Sequence, residues 1–376
     1  ALITGFTGSG KTNTVLFLLD QLWKKHKIPF LVIESAKTEY RSLLRVPGFE
    51  DLLIFSLGNE TVSPFRLNPF ELLPGVRLEA HLGRLQTCFD AALPQFGILP
   101  SIVEEAMDEI YKQKGWKLTD YRKPNDERIF PTIRDMFNEV IEVTERRGYA
   151  GETYFNIRAA AAGRIGSLLR GSRGRMLGSQ CSYPADELFK RPVVLEMNDL
   201  NENDKALVVM FLLTWLREYR ELNPAKGLQH VTVVEEAHNV LSNTQSVSNP
   251  EVSADTKAKA VQAFSNMLSE IRSYGEGLMI ADQSPEKLAP DAIRNTNLQL
   301  AHQLRDRHDR EAIARAMIMD ENQTNYLGKL KIGEVAVFRT GLEKATFVII
   351  PEYKDTAGFD DIPADNDVIN HMKDFK

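Results

Sequence analysis

Eight residues near the start of the chain, Gly5-Phe6-Thr7-Gly8-Ser9-Gly10-Lys11-Thr12, satisfy the pattern G-x-x-x-x-G-K-[ST]. Glycines at these positions let the backbone curl around a phosphate chain with its N–H groups pointing inward. Apolar residues at helical spacing follow over Thr14–Lys24, and the N-terminus of such a helix adds partial positive charge to the same spot. In that setting the Lys11 ammonium reaches the β- and γ-phosphates and the Thr12 hydroxyl holds Mg²⁺. The expected binding surface for ATP therefore comprises Gly5, Thr7, Gly8, Ser9, Gly10, Lys11, Thr12 and Asn13.

A second constellation lies more than two hundred residues later. Val231-Thr232-Val233-Val234 runs straight into Glu235-Glu236-Ala237-His238, so two carboxylates stand at the C-terminal end of a strand, where α/β proteins bind ligands. Adjacent strand residues point to opposite sides. Glu235 is thus expected to face Mg²⁺ or its waters, and Glu236 to orient and deprotonate the attacking water. His238 either contacts phosphate or packs. Gly277–Asp282 is another strand ending in polar residues, and the Gln283 amide beyond it suits a γ-phosphate and a lytic water. Charge that develops on a transferred phosphoryl group is often met by an arginine from a neighbouring subunit. Arg272, before the Gly277 strand, and Arg305, after the Leu298 strand, are the candidates, with Arg294 and Arg307 nearby.

The elements that must position these groups read as α/β with a mainly parallel sheet. Candidate strands are Ala1–Thr4, Phe30–Glu34, Leu52–Leu57, Val193–Met197, Val231–Glu235, Gly277–Asp282 and Leu298–Gln303. Several are unbroken aliphatic runs, as strands buried on both faces should be. Glu334–Arg339 and Ala345–Ile350 flank a turn and form a C-terminal edge hairpin. Between the Leu52–Leu57 and Val193–Met197 strands lies a helical insertion, residues 76–186, with helices expected at Ser101–Lys112 and at Phe130–Arg147, Pro131 serving in the first turn. The core is thus discontinuous, 1–75 and 187–353. Residues 354–376 hold six Asp and three Lys with little periodicity, which reads as an acidic tail, mobile or bound to a partner.

The chain has 376 residues, 43% hydrophobic and 26% charged, which excludes disordered and fibrous classes. With Lys+Arg 46 and Asp+Glu 52, the net charge is −6, so no basic coat covers it. One local exception stands out: Thr153–Ala185 carries Arg158, Arg164, Arg170, Arg173 and Arg175 and no Asp, Glu or Lys. Glycines interleave the arginines, so part of the segment should be loop. Contact with a phosphate backbone, a subunit interface and a solvated face all fit it. Two distant cysteines, Cys88 and Cys181, exclude a disulfide framework and point to a reducing, cytoplasmic compartment. The most apolar run, Ala206–Leu216, is too short to span a bilayer, which takes about 20 residues. The chain opens at Ala1 inside a bare strand, so it is expected to be a fragment entered within a domain.

Taken together, the phosphate loop, the Glu235-Glu236-Ala237-His238 strand end and the Gln283-Ser284-Pro285 turn resemble the HerA/FtsK superfamily of motor ATPases. Val32-Ile33-Glu34-Ser35-Ala36-Lys37-Thr38-Glu39-Tyr40 and Leu67-Asn68-Pro69-Phe70 look similar to its HerA-like bacterial members. Glu235 stands where many relatives have Asp, and Asp282 where a small residue is usual. The resemblance implies a RecA-like P-loop NTPase core assembled as a homo-hexamer around double-stranded DNA, with an arginine donated in trans, for which Arg272 matches best. It also implies an N-terminal barrel-like domain ahead of Ala1 and, in some members, a partner nuclease or antiphage effector. The leading expectation is Mg²⁺-dependent ATP hydrolysis driving a HerA-type DNA translocase or helicase. The alternatives are a type IV secretion or conjugation ATPase and a nucleotide-gated ring scaffold for an effector.

Overall fold

The computed structural model describes residues 1–92, 98–239, 266–267, 269–353 and 361–375. Among them nine strands form one sheet: β1 (Leu2–Thr4), β2 (Phe30–Glu34), β3 (Leu53–Ser56), β4 (Val193–Glu196), β5 (His230–Glu235), β6 (Glu276–Asp282), β7 (Leu298–Ala301), β8 (Glu334–Arg339) and β9 (Thr346–Ile349). Their order across the sheet is β3-β4-β2-β5-β6-β1-β7-β8-β9. The pairs from β3 to β7 are parallel, and β7-β8-β9 is antiparallel. The expected strands and the edge hairpin are therefore present, with ends moved by a residue or two. The aliphatic runs explain why: every residue of β1, β2, β3 and β4 is buried, as helices on both faces of a parallel sheet require.

Register brings the chemistry together. Thr4 pairs with Asp282 on one side and Ala301 on the other, Glu235 pairs with Ala281, and Glu34 with Glu196. The C-terminal ends of β1, β2, β4, β5, β6 and β7 are thus level, and the loops that leave them share one rim.

Helix α1 (Lys11–His26) buries Val15, Leu16 and Leu19 against the sheet and ends in Lys24, Lys25 and His26, where positive charge suits the helix dipole. It starts at Lys11, three residues earlier than the apolar spacing indicated. Between β3 and β4 the chain forms α2 (Leu78–Ala92), α3 (Leu99–Gln113), α4 (Ile133–Arg146), α5 (Gly151–Arg164), α6 (Gly171–Leu177) and α7 (Ala185–Lys190). Phe70, Phe89, Tyr111, Trp116 and Phe130 form a chain of ring contacts among these helices. Cys88 and His81 of α2 pack against α8 (Glu202–Leu222), meeting Thr214 and Glu218. Pro131 is not in a first turn: Thr132 is the N-cap of α4 and closes a capping box with Asp135, so the proline precedes the cap. The arginine-rich segment is more helical than its glycines suggested. A Cβ on Gly174 would stand 2.2 Å from the Leu169 carbonyl oxygen, so glycine there permits a close turn between two helical pieces.

The C-terminal stretch also departs from expectation. Residues 354–360 lie outside the described residues, but Asp365–Met372 is a helix packed along β3. Val368 and Met372 are buried, the His371 ring nitrogen contacts the Leu52 carbonyl at 2.6 Å, and Arg41 pairs with Asp365 at 2.7 Å. The acidic residues there serve a helix N-terminus and two arginines of the same chain, and two apolar side chains four apart supply the buried face.

Candidate active site

The loop Gly5–Gly10 leaves β1 and enters α1 with three left-handed or unusual glycines: Gly5 at φ +156°, Gly8 at φ +83° and Gly10 at φ +101°. Gly10 is the N-cap and brings no side chain to the cap, so the first N–H groups of α1 have no intrahelical partner. Nothing lies within 4 Å of where a Cβ on Gly8 would stand, which leaves a cradle of backbone donors open to an anion. Lys11 folds its ammonium over the loop, donating to the carbonyls of Gly5 (2.6 Å) and Phe6 (3.2 Å). Burial lowers its pKa, against the pull of the Glu236, Glu235 and Asp282 carboxylates. Such an ammonium, held by acceptors of its own loop, suits transfer to phosphate oxygens. Thr12 occupies the second position of α1. Ser9 differs from expectation in one respect: its side chain is buried, with the hydroxyl 2.5 Å from where a Cβ on Gly5 would lie, so only its backbone faces the cradle. Asn13 differs too. Its amide donates to the Pro351 carbonyl (2.9 Å) and accepts from the Tyr353 N–H (2.7 Å), tying the segment after β9 to α1.

The two glutamates separate as their order on the strand required. Glu235 ends β5 and accepts from the Tyr40 hydroxyl at 2.8 Å. Glu34, at the end of neighbouring β2, is fully buried, and one oxygen accepts the Glu39 N–H at 2.7 Å. Burial, then the charge of Glu235, pushes Glu34 well above the carboxylate range, and burial raises Glu235 as well. Among the described residues, the ligand atoms of Glu236, His238 and Asp282 lie within 4.8 Å of one another. Glu236 has already left the strand: its φ of +51° is left-handed, and this turns its side chain to the other side of the rim. There the Gln283 amide donates to a Glu236 oxygen, while the Gln283 carbonyl accepts from the Thr7 hydroxyl at 2.5 Å. Glu236 and the phosphate loop are thereby connected through Gln283, the three groups whose sequence positions differ by more than 270 residues at the extremes.

The arginines part company. Arg272 lies at the N-terminal end of β6, in the short turn Ile271–Tyr274, and donates to the Asn295 carbonyl at 3.2 Å. The seven residues of β6 place it more than about 20 Å from its own phosphate loop at about 3.3 Å per residue. It borders a cavity of about 710 Å³ lined by Leu18, Leu22, Leu228, Met279 and Leu298, at the end of the sheet away from the chemistry. Arg305 stands at the other end, its guanidinium 3.9 Å from the centre of the Phe6 ring, so it belongs to its own chain's loop. In the arginine-rich segment, Arg173 pairs with Asp204 and the Ser167 carbonyl, whereas Arg158, Arg170 and Arg175 are exposed.

Three residues of this rim were given no role by the motif reading. His302 follows β7 and lies under the loop: Nδ1 is 2.9 Å from the Ser9 carbonyl oxygen and Nε2 is 3.0 Å from the Thr14 hydroxyl. A carbonyl only accepts, so Nδ1 carries the proton and Nε2 accepts from Thr14. Burial pushes its pKa down to about 4, which keeps it neutral. Tyr40 and Asp282 are the others. A polar residue closing a buried parallel strand was the available signal for His302 and Asp282; Tyr40 closes the Val32–Tyr40 run, but its partner, 195 residues away, could not be read from that run.

No family model matches the sequence, and no curated protein matches it. Among solved structures, VirB4 of Thermoanaerobacter pseudethanolicus superposes with a TM-score of 0.73 at 18% identity, over 95% of this chain and 90% of that one. The bacterial conjugative coupling protein TrwBdeltaN70, unbound, gives 0.63 at 10% identity over 93% and 84%. The plasmid coupling protein TrwB in complex with ADP and Mg²⁺ gives 0.60 at 10% identity over 93% and 85%. The chain therefore has the α/β fold of the P-loop NTPases, a mostly parallel sheet flanked by helices, as VirB4 and TrwB do.

Proposed function

We propose that the chain is an Mg²⁺-dependent ATPase of the type IV secretion and conjugation kind, working as a homo-hexamer that moves a polymer. The observation that carries the reading is the hydrogen-bonded run from Thr7 through Gln283 to Glu236, which joins a phosphate cradle to a carboxylate base. Likeness in fold to VirB4 over nine-tenths of both chains supports the secretion kind. The donor set fits the cation: Thr12 and Glu235 would hold Mg²⁺, which supplies charge neutralisation at the phosphates. Lys11 exchanges its loop carbonyls for phosphate oxygens. Gln283 holds the attacking water beside Glu236, which takes its proton. Arg272, out of reach of its own site, is assigned to the nucleotide of the neighbouring copy, while Arg305 braces the loop through Phe6.

A second reading, a HerA-type translocase on double-stranded DNA, is supported by the Glu235-Glu236-Ala237-His238 run and by the exposed Arg158, Arg170 and Arg175, which suit phosphate-backbone contact. No described helix is long and apolar enough to cross a membrane. The test is phosphate release from MgATP by the purified chain. Lys11→Ala is expected to abolish nucleotide binding, and Glu236→Gln to hold ATP without turnover; normal turnover by Glu236→Gln would refute the assignment of the base. A rate raised by duplex DNA favours the translocase. A rate that duplex leaves unchanged favours the secretion motor.

A further inference from the structure

Glu236 is held on the side opposite Gln283 by a pair of residues that the hydrolysis scheme does not use. Asp282, the last residue of β6, is fully buried. It accepts the His238 N–H (3.0 Å) and the Ser284 N–H (3.0 Å), and its two oxygens lie 3.0 and 3.2 Å from His238 Nδ1. The same Nδ1 is 3.5 Å from the second oxygen of Glu236. The backbone at Glu236 is left-handed, a conformation that costs a residue with a Cβ roughly 1–2 kcal/mol, so it needs an external hold. That hold is local: the Glu236 N–H donates to the Ala281 carbonyl (2.9 Å), and two residues on the His238 N–H is captured by Asp282.

We propose that His238, fixed by Asp282, is a positioning residue that keeps the Glu236 carboxylate turned toward Gln283 and the phosphate loop. The five side chains Asp282, His238, Glu236, Gln283 and Thr7 then form one line across the rim, from the end of β6 to the cradle. One Glu236 oxygen accepts from Gln283 and the other lies 3.5 Å from the His238 ring, an electrostatic contact that narrows the carboxylate's rotamers and so the geometry in which the attacking water meets it. The charged groups around His238 are Asp282 on β6, Glu236 beyond β5 and Lys287 on the turn Pro285–Lys287. Two carboxylates against one ammonium favour a ring that donates toward them.

The inference rests on the ATPase reading, and its test keeps the two apart. Steady-state ATP hydrolysis and nucleotide Kd are measured for the full chain, Glu236→Gln, His238→Ala, His238→Asn and Asp282→Asn, with thermal midpoints as a check on folding. Asparagine places an amide N–H near the position of Nδ1, so His238→Asn is the rescuing variant. His238→Ala is expected to lower kcat by about 10- to 100-fold, with nucleotide Kd changed by less than about threefold, and His238→Asn to recover most of that loss. Asp282→Asn, which keeps shape, is expected to lower kcat without weakening binding and decides the matter if His238→Ala does not fold. An unchanged kcat in the variants that fold, or equal loss of kcat and binding without recovery in His238→Asn, overturns the positioning role. Absence of hydrolysis in the wild-type chain overturns the ATPase reading itself.

Discussion

Acidification should weaken this protein through one histidine, His302, by an amount that its surroundings define. The ring is fully buried beneath the phosphate loop, donates to the Ser9 carbonyl and accepts from the Thr14 hydroxyl. Protonation would turn Nε2 into a donor, force the Thr14 hydroxyl to rotate, and add a cation beside Lys11. The folded-state pKa is accordingly pushed down to about 4 from the ordinary 6.5. Because the folded pKa is depressed, the unfolded chain takes up the proton first. The stability is complete above about pH 6.5, declines as pH falls, and the loss levels off near pH 4. Linkage sets the total at about 3 kcal/mol, of which roughly 1–2 kcal/mol is gone by pH 5.5. Carboxylates titrate over part of the same range, so the quantity to compare is the difference from His302→Gln, which has no ring to protonate. Urea unfolding of both proteins at pH 7.5, 6.5 and 5.5, stepping down, is expected to show the wild type losing roughly 1–2 kcal/mol more than the variant. Parallel pH curves for the two proteins would refute the reasoning.

Three further outcomes are expected. Arg41 is paired in a bidentate contact with fully buried Glu196, and also with Asp365. Arg41→Leu strands a buried carboxylate and should cost about 3–5 kcal/mol in urea unfolding, while adding Glu196→Gln should recover part of it; a purely additive pair would contradict this. A Cβ on Gly5 would lie 2.5 Å from the Ser9 hydroxyl and 2.6 Å from the His302 Cβ, whereas Gly8 has open space and only a left-handed φ. Gly5→Ala should therefore destabilise the fold, and Gly8→Ala should leave it nearly intact, costing about 1 kcal/mol by backbone strain, and instead weaken nucleotide binding, as thermal melting and a binding titration will tell. Gln283→Ala removes both hydrogen bonds between Thr7 and Glu236 and is expected to lower kcat about 100-fold, with nucleotide affinity little changed.

The seven parallel strands and the edge hairpin were readable because strands buried on both faces must be unbroken aliphatic runs, and turn residues bound them. The phosphate loop was readable because its glycines, lysine and threonine act within eight residues and need no distant partner. Glu235 and Glu236 were readable as a pair standing at a strand end. Where local signals conflicted, packing won: the glycines of Gly171–Leu177 did not prevent a helix, because one of them accepts a close backbone contact that no other residue tolerates. The C-terminal acidic stretch had too few apolar residues to declare itself, yet two of them sufficed for a helix once β3 offered a surface.

What the amino-acid order determined by itself, then, is everything that rests on neighbours along the chain: the strand runs, the loop that can wrap phosphate, the carboxylates at a strand's end. What only the tertiary structure decided is which side chains meet. Tyr40 reaches Glu235, Arg41 reaches Glu196 and Asp365, and His302 reaches Ser9, across separations of 195, 155, 324 and 293 residues. The physical reason is strand order: β6 and β7 flank β1, and β2 lies between β4 and β5, an arrangement set by the burial of whole faces rather than by any one residue. The groups at the strand ends are brought together by that packing.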